Sequence, residues 1–187
     1  MRESTLSARD RLPDPLRVLL AQYPRDIWAS HQNFDGLTRF WLERHLMFRR
    51  ALAQWQDETR GFLDQRREAR AYRQMTARIG GFLINELHGH HHIEDTHYFP
   101  ILSAAETRLA RGFDLLDADH HELDVVLNAL TEAANTHLQS LSANEDAQAS
   151  AGALLRQLEG FETFLNRHLV DEEELVVPVI LHHALKF

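Results

Sequence analysis

Apolar positions recur along most of this chain in alternating steps of three and four, the spacing of one face of an α-helix. Ile27, His31, Phe34, Thr38, Trp41, His45, Phe48, Leu52 and Trp55 form a first stripe, predicting one helix of about 30 residues by this rule. A second stripe holds Met75, Ile79, Leu83, Leu87, His90, Glu94, Tyr98 and Ile101, and a third Leu116, His120, Leu123, Leu127 and Leu130. The fourth holds Leu154, Leu158, Phe161, Leu165, His168, Glu172, Leu175 and Val179. Breaks fall near Gly61 and Gly112, with Pro100 interrupting or kinking the second helix, and Ser142 with Glu145 offers a capping box for the fourth. A short extra helix is expected around Pro15 to Gln22, ended by Pro24. One apolar stripe per helix predicts an all-α, up-down-up-down antiparallel four-helix bundle over residues 26–187. Residues 1–25 form an N-terminal extension, and its first 13 residues are polar enough to be expected loose.

Composition narrows the chemistry. The 187 residues include no cysteine, which removes disulfides, thiolate metal sites and cysteine nucleophiles. Twenty Lys and Arg against 28 Asp and Glu leave a charge of −8, which argues against nucleic acid or an anionic membrane as partner. No run is long and apolar enough to span a bilayer, and the N-terminus lacks the apolar core of a signal peptide, so a cytoplasmic protein is expected. The unusual number is 13 histidines.

Each stripe carries a histidine where an aliphatic residue is expected: His45, His90, His120 and His168. Three are followed four residues later by an acid: Glu94, Asp124 and Glu172. Residues i and i+4 share a helix face. Buried carboxylates cost several kcal/mol each unless paired or metal-bound. Three acids among four imidazoles therefore predict a pair of cations between them. The segments starting at His90 and His168 also echo each other, with Glu at +4, a second acid at +5 and Pro at +10. The offsets, 78 residues (90 to 168) and 75 residues (45 to 120), suggest two related hairpins building two half-sites.

LeuHisGlyHisHisHisIleGluAspThrHisTyrPheProIleLeu, AspHisHisGluLeuAsp and HisLeuValAspGluGluGluLeuValValPro resemble the hemerythrin-like (HHE cation-binding) domain family over residues 26–183. The resemblance implies a bundle enclosing a non-haem di-iron site, with His45, His90, His120 and His168 as terminal ligands and Glu94 and Glu172 bridging. Asp124 stands where the oxygen carriers have a fifth histidine. Four histidines and three carboxylates would favour the ferric state and disfavour reversible oxygen carriage. Two alternatives stay open: His31 in place of His45, and Glu173 in place of Glu172. His91 and His92 are expected off the stripe, although His91 could add a ligand. Trp41, Phe48 and Phe161 are expected in the core, where they could line an oxygen pocket.

Ferritin-like and zinc-protease motifs are not met, since Glu172 is followed by Leu175 and no HisGluxxHis run exists. The implied function is an iron protein binding O2, NO or peroxide, or sensing iron or redox state. A peroxide- or NO-consuming di-iron oxidoreductase and an iron-dependent interaction module are the alternatives, with zinc or manganese able to substitute for iron. No protein partner is indicated.

Overall fold

A computed structural model describes residues 5–143 and 147–186, which are mostly helical and contain no strand. Helix α1 is Gly36–Leu63, α2 Ala69–Ile93, α3 Phe99–Ala105, α4 Ala110–Ser142 and α5 Gln148–His183. A five-residue π-helical turn, Glu94–Tyr98, joins α2 to α3. Among the described residues no helix is long and apolar enough to cross a membrane.

The first helix starts later than its stripe. Asp35 accepts hydrogen bonds from the Thr38 N–H and hydroxyl, both at 2.8 Å, and so caps α1. Ile27 lies instead in a 3-10 turn, Arg25–Ser30, that begins after Pro24, and His31 closes that turn. The short helix expected before Pro24 is reduced to a 3-10 turn, Asp14–Leu16, followed by further turns. Ser142 ends α4, its hydroxyl donating to the Leu138 carbonyl, while Glu145 lies outside the described residues.

The second stripe slips by one residue after Glu94. Proline has no N–H and its ring crowds the carbonyl four residues back. Just ahead of Pro100 the Phe99 N–H donates to Glu94 O, five residues back, so the turn is wide. Phe99 and Leu102 become the buried pair, Tyr98 is half-buried, and Ile101 is 49% exposed.

The chain divides into two compact units, each taking part of all four long helices. One unit comprises Met1–Leu46, His90–Glu122 and Leu165–Phe187. Its core packs Trp41, Phe99, Leu102, Phe113, Leu116 and Leu175 with Leu12 and Leu19. Residues 5–13 are therefore not loose: Leu6, Arg9 and Leu12 are all buried. In the other unit, Met47–Gly89 with Leu123–Phe164, Trp55, Leu83, Leu127, Leu158 and Phe161 are buried.

Candidate metal centre

All of the clustered imidazoles and their acids belong to the first unit. The stripes of α1, α2, α4 and α5 carry His45, His90, His120 and His168 inward, all buried. Among the described residues three groups of potential ligands form, and two of them meet at the inward histidines, the third being buried Glu106 with the exposed His182 and His183. Of the inward two, His45, His90, Glu94 and Glu172 make one, and His91, His120 and His168 the other.

Hydrogen bonds set the aim of three rings. His45 Nδ1 lies 3.0 Å from Glu173 Oε1, His120 Nδ1 lies 2.8 Å from Asp95 Oδ1, and His168 Nδ1 lies 3.4 Å from Asp119 Oδ2. An ionised carboxylate accepts only, so each Nδ1 carries the proton and each Nε2 presents a lone pair. His45 Nε2 faces His90 Nε2 at 3.0 Å, and His120 Nε2 faces His168 Nε2 at 3.1 Å. In the His120–His168 pair two lone pairs are opposed, and at that distance they repel unless a cation or proton lies between them.

The two glutamates link the groups. Glu94 Oε1 lies 3.0 Å from His90 Nε2 and its Oε2 lies 3.7 Å from His120 Nε2. Glu172 Oε2 lies 3.5 Å from His45 Nε2 and 3.4 Å from His168 Nε2. Trp41 Nε1 donates to Glu94 Oε1 at 2.7 Å. Glu94 Oε2, both oxygens of Glu172 and both nitrogens of His91 are buried without a hydrogen-bond partner. Burial and the Glu94 charge push Glu172 well above the usual carboxylate range. Burial also pushes Glu94 up, but the His90 ring, a hydrogen bond with Glu172 and the His120 ring together outweigh it and leave Glu94 well below that range. Burial holds His45 down at about 4 and holds His91 and His168 below their ordinary values, keeping these rings neutral at pH 7. Inward imidazoles, two acids with orphaned oxygens and no thiolate fit a pair of hard or borderline cations.

His91 is the histidine that stripe phasing set aside. It is 4% exposed and stacks on His120, ring centroids 4.1 Å apart. Asp124 goes the other way, contrary to its expected place at the centre. It joins neither group; its side chain is 50% exposed and lies 3.3 Å from His88 Nδ1. The buried face of α4 continues through Leu123 and Leu127, which leaves Asp124 on the flank. The structure thus assembles five imidazoles and two carboxylates, and the basis for expecting a ferric-favouring set falls away.

His31 accepts a hydrogen bond from the Asn33 N–H, at the end of the turn ahead of α1, and joins neither group. Glu172, not Glu173, is grouped with the imidazoles. Glu173 orients His45 and pairs with Arg25 at 2.7 Å. His92, His97 and His121 are exposed. A small cavity of about 20 Å³, roughly one water, meets Glu94 and Glu172 and is walled by Trp41, Phe99, Leu102 and Val176. Of the three aromatics expected near a pocket, Trp41 lines this one. Phe48 and Phe161 are fully buried and do not.

The model of the hemerythrin HHE cation binding domain matches residues 36–180. Comparison with curated proteins and with solved structures finds no match.

Proposed function

Because the chain belongs to the hemerythrin HHE cation-binding domain family, we propose that it holds a non-haem pair of iron ions and binds a small ligand there: O2, NO or peroxide. In this reading the long helices run as an up-down-up-down bundle. His45 and His90 would hold one ion, and His91, His120 and His168 the other, with Glu94 and Glu172 in reach of both groups. The observation that carries the reading is the reach of these two glutamates, each within 3.7 Å of an imidazole from both groups.

When bound, the ion pair would supply open coordination positions and one-electron redox chemistry that no side chain here provides. The chain's residues do the rest. Glu173, Asp95 and Asp119 hold the Nδ1 protons, which fixes the tautomers and keeps Nε2 aimed inward. Trp41 holds Glu94 by one oxygen. Phe99, Leu102 and Val176 limit water beside the glutamates and leave room for a ligand of a few atoms.

Anaerobic loading with ferrous iron, elemental analysis and then exposure to air test the proposal. About two ions per chain and a change in visible absorption on oxidation are expected, the ion count following from the two ligand groups. A folded protein that retains no metal would defeat it. Elemental analysis separates iron from zinc or manganese, and sustained peroxide or NO consumption would move the reading to a di-iron oxidoreductase.

A further inference from the structure

The segment ahead of α1 lies in the same compact unit as the two ligand groups and sends a buried arginine toward them. The Arg9 side chain is 2% exposed. Its Nη1 donates to Asp119 Oδ1 at 2.8 Å, its Nη2 donates to Asp119 Oδ2, and its Nε donates to Asp171 Oδ2 at 2.8 Å. The Leu12 N–H donates to the other oxygen of Asp171 at 3.0 Å. Asp119 Oδ2 in turn faces His168 Nδ1. The result is an unbroken relay from the N-terminal segment to an imidazole of the cluster: Arg9, Asp119, His168.

The chemistry of the relay is specific. A guanidinium binds a carboxylate through two parallel N–H groups and so fixes the plane of the acid, which a lysine ammonium cannot do. With both Asp119 oxygens held by Arg9, the direction in which Oδ2 meets the His168 ring is set from outside the cluster. Outer partners of this kind set ligand orientation and basicity, and their loss typically weakens metal binding about 10- to 100-fold. The corresponding acid on His45, Glu173, is held by Arg25, whose side chain is 41% exposed and therefore holds less firmly.

We propose that Arg9 is a positioning residue for the metal centre: through Asp119 it fixes His168, and it thereby couples the seating of the N-terminal segment to the ion held on the His168 side. This rests on reading the cluster as a metal centre. Coupling is reciprocal. An ion that immobilises His168 also holds Asp119 in place for Arg9, so loading the centre tightens the segment.

The full chain is titrated with Co²⁺ as wild type, R9Q, R9K and R25Q, following visible absorption, metal-free melting and trypsin cleavage after Arg11. Wild type is expected to bind two ions and to resist cleavage once loaded. R9Q should keep one ion near wild-type affinity, bind the other about 10- to 100-fold more weakly with an altered spectrum, and lose the metal-dependent protection. R9K, which keeps the charge, should fall between the two, and R25Q should affect the opposite ion. The proposal is overturned if R9Q and R9K titrate as wild type. It is equally overturned if both ions weaken alike in step with a fall in metal-free melting, which would make Arg9 a stabiliser of the fold only. A folded wild type that binds no Co²⁺ would remove the metal-centre reading itself.

Discussion

His91 lies flat on His120, with ring centroids 4.1 Å apart and planes 11° from parallel. It also meets His168 edge-on at 5.6 Å, and neither of its nitrogens has a hydrogen-bond partner in its buried position. A buried imidazole with both nitrogens unused is costly unless something else engages one of them.

The first prediction follows. His91→Ala should lose the ion on the His91, His120 and His168 side and keep the other. Asp124→Asn should leave the metal count unchanged, since Asp124 pairs only with His88 among the groups described. Elemental analysis of the two purified variants decides the matter. A normal count in His91→Ala with a deficit in Asp124→Asn would reverse the assignment.

The two adjacent acids on α5 should separate by their effects. Glu172→Gln removes a carboxylate that burial and Glu94 hold protonated far above the usual range. A raised carboxyl subtracts stability as pH rises above its ordinary 4.5. The metal-free variant should therefore melt higher than wild type at pH 8, at about 2–4 °C per kcal/mol relieved, while losing the stabilisation that metal brings. Glu173→Gln should keep both ions and weaken the one beside His45. Melting curves with and without metal measure both effects.

Acid should unfold the metal-free protein well before ordinary carboxylates are exhausted. His45 sits at about 4 against an ordinary 6.5, and His91 and His168 are also depressed, all chiefly by burial. A histidine depressed in the fold binds its proton more readily when unfolded. Its contribution is complete above pH 6.5 and is lost as pH falls from there through 4. A shift of this size on His45 alone corresponds to about 3 kcal/mol. Because the raised Glu172 carboxyl opposes this trend, the clean test is the Glu172→Gln background, where melting temperature followed from pH 7 to pH 4 should fall steadily. In the wild type metal affinity should fall over the same range because the ligands must be deprotonated.

Gly80→Ala should destabilise the chain without changing its metal count. A Cβ on Gly80 would stand 2.7 Å from Cη2 and 2.9 Å from Cζ2 of Trp55, a rigid ring that is fully buried. Overpacking of this kind costs about 1–3 kcal/mol. Denaturant unfolding of the variant, paired with elemental analysis, checks both halves of the expectation.

Much of the buried cluster was legible in the chain because it depends on local geometry. The 3-and-4 spacing put His45, His90, His120 and His168 on buried faces, and the i to i+4 step carried Glu94 and Glu172 with two of them. These relations hold within one helix wherever it packs. The start of α1 was misplaced because the stripe runs through Ile27 and Phe34, while the Asp35 cap, a stronger local signal, ends the reach of the helix. The slip after Glu94 was missed because Pro100 shows only that a helix must give way, not that it will widen by one residue.

His91 and Asp124 mark the boundary between what the sequence determined and what the tertiary structure decided. At about 100° per residue, each stands roughly 80° from the centre of its own stripe, so periodicity treats them alike. One is buried against His120 and His168; the other faces half into solvent beside His88. A helix specifies the angle at which a side chain leaves it, but how wide an arc is covered depends on its neighbours. The sequence alone determined the helices, the inward histidines and the linking acids. Only packing decided which flanking residue joined them, and only packing brought Arg9, more than a hundred residues away in sequence, to the acid behind His168.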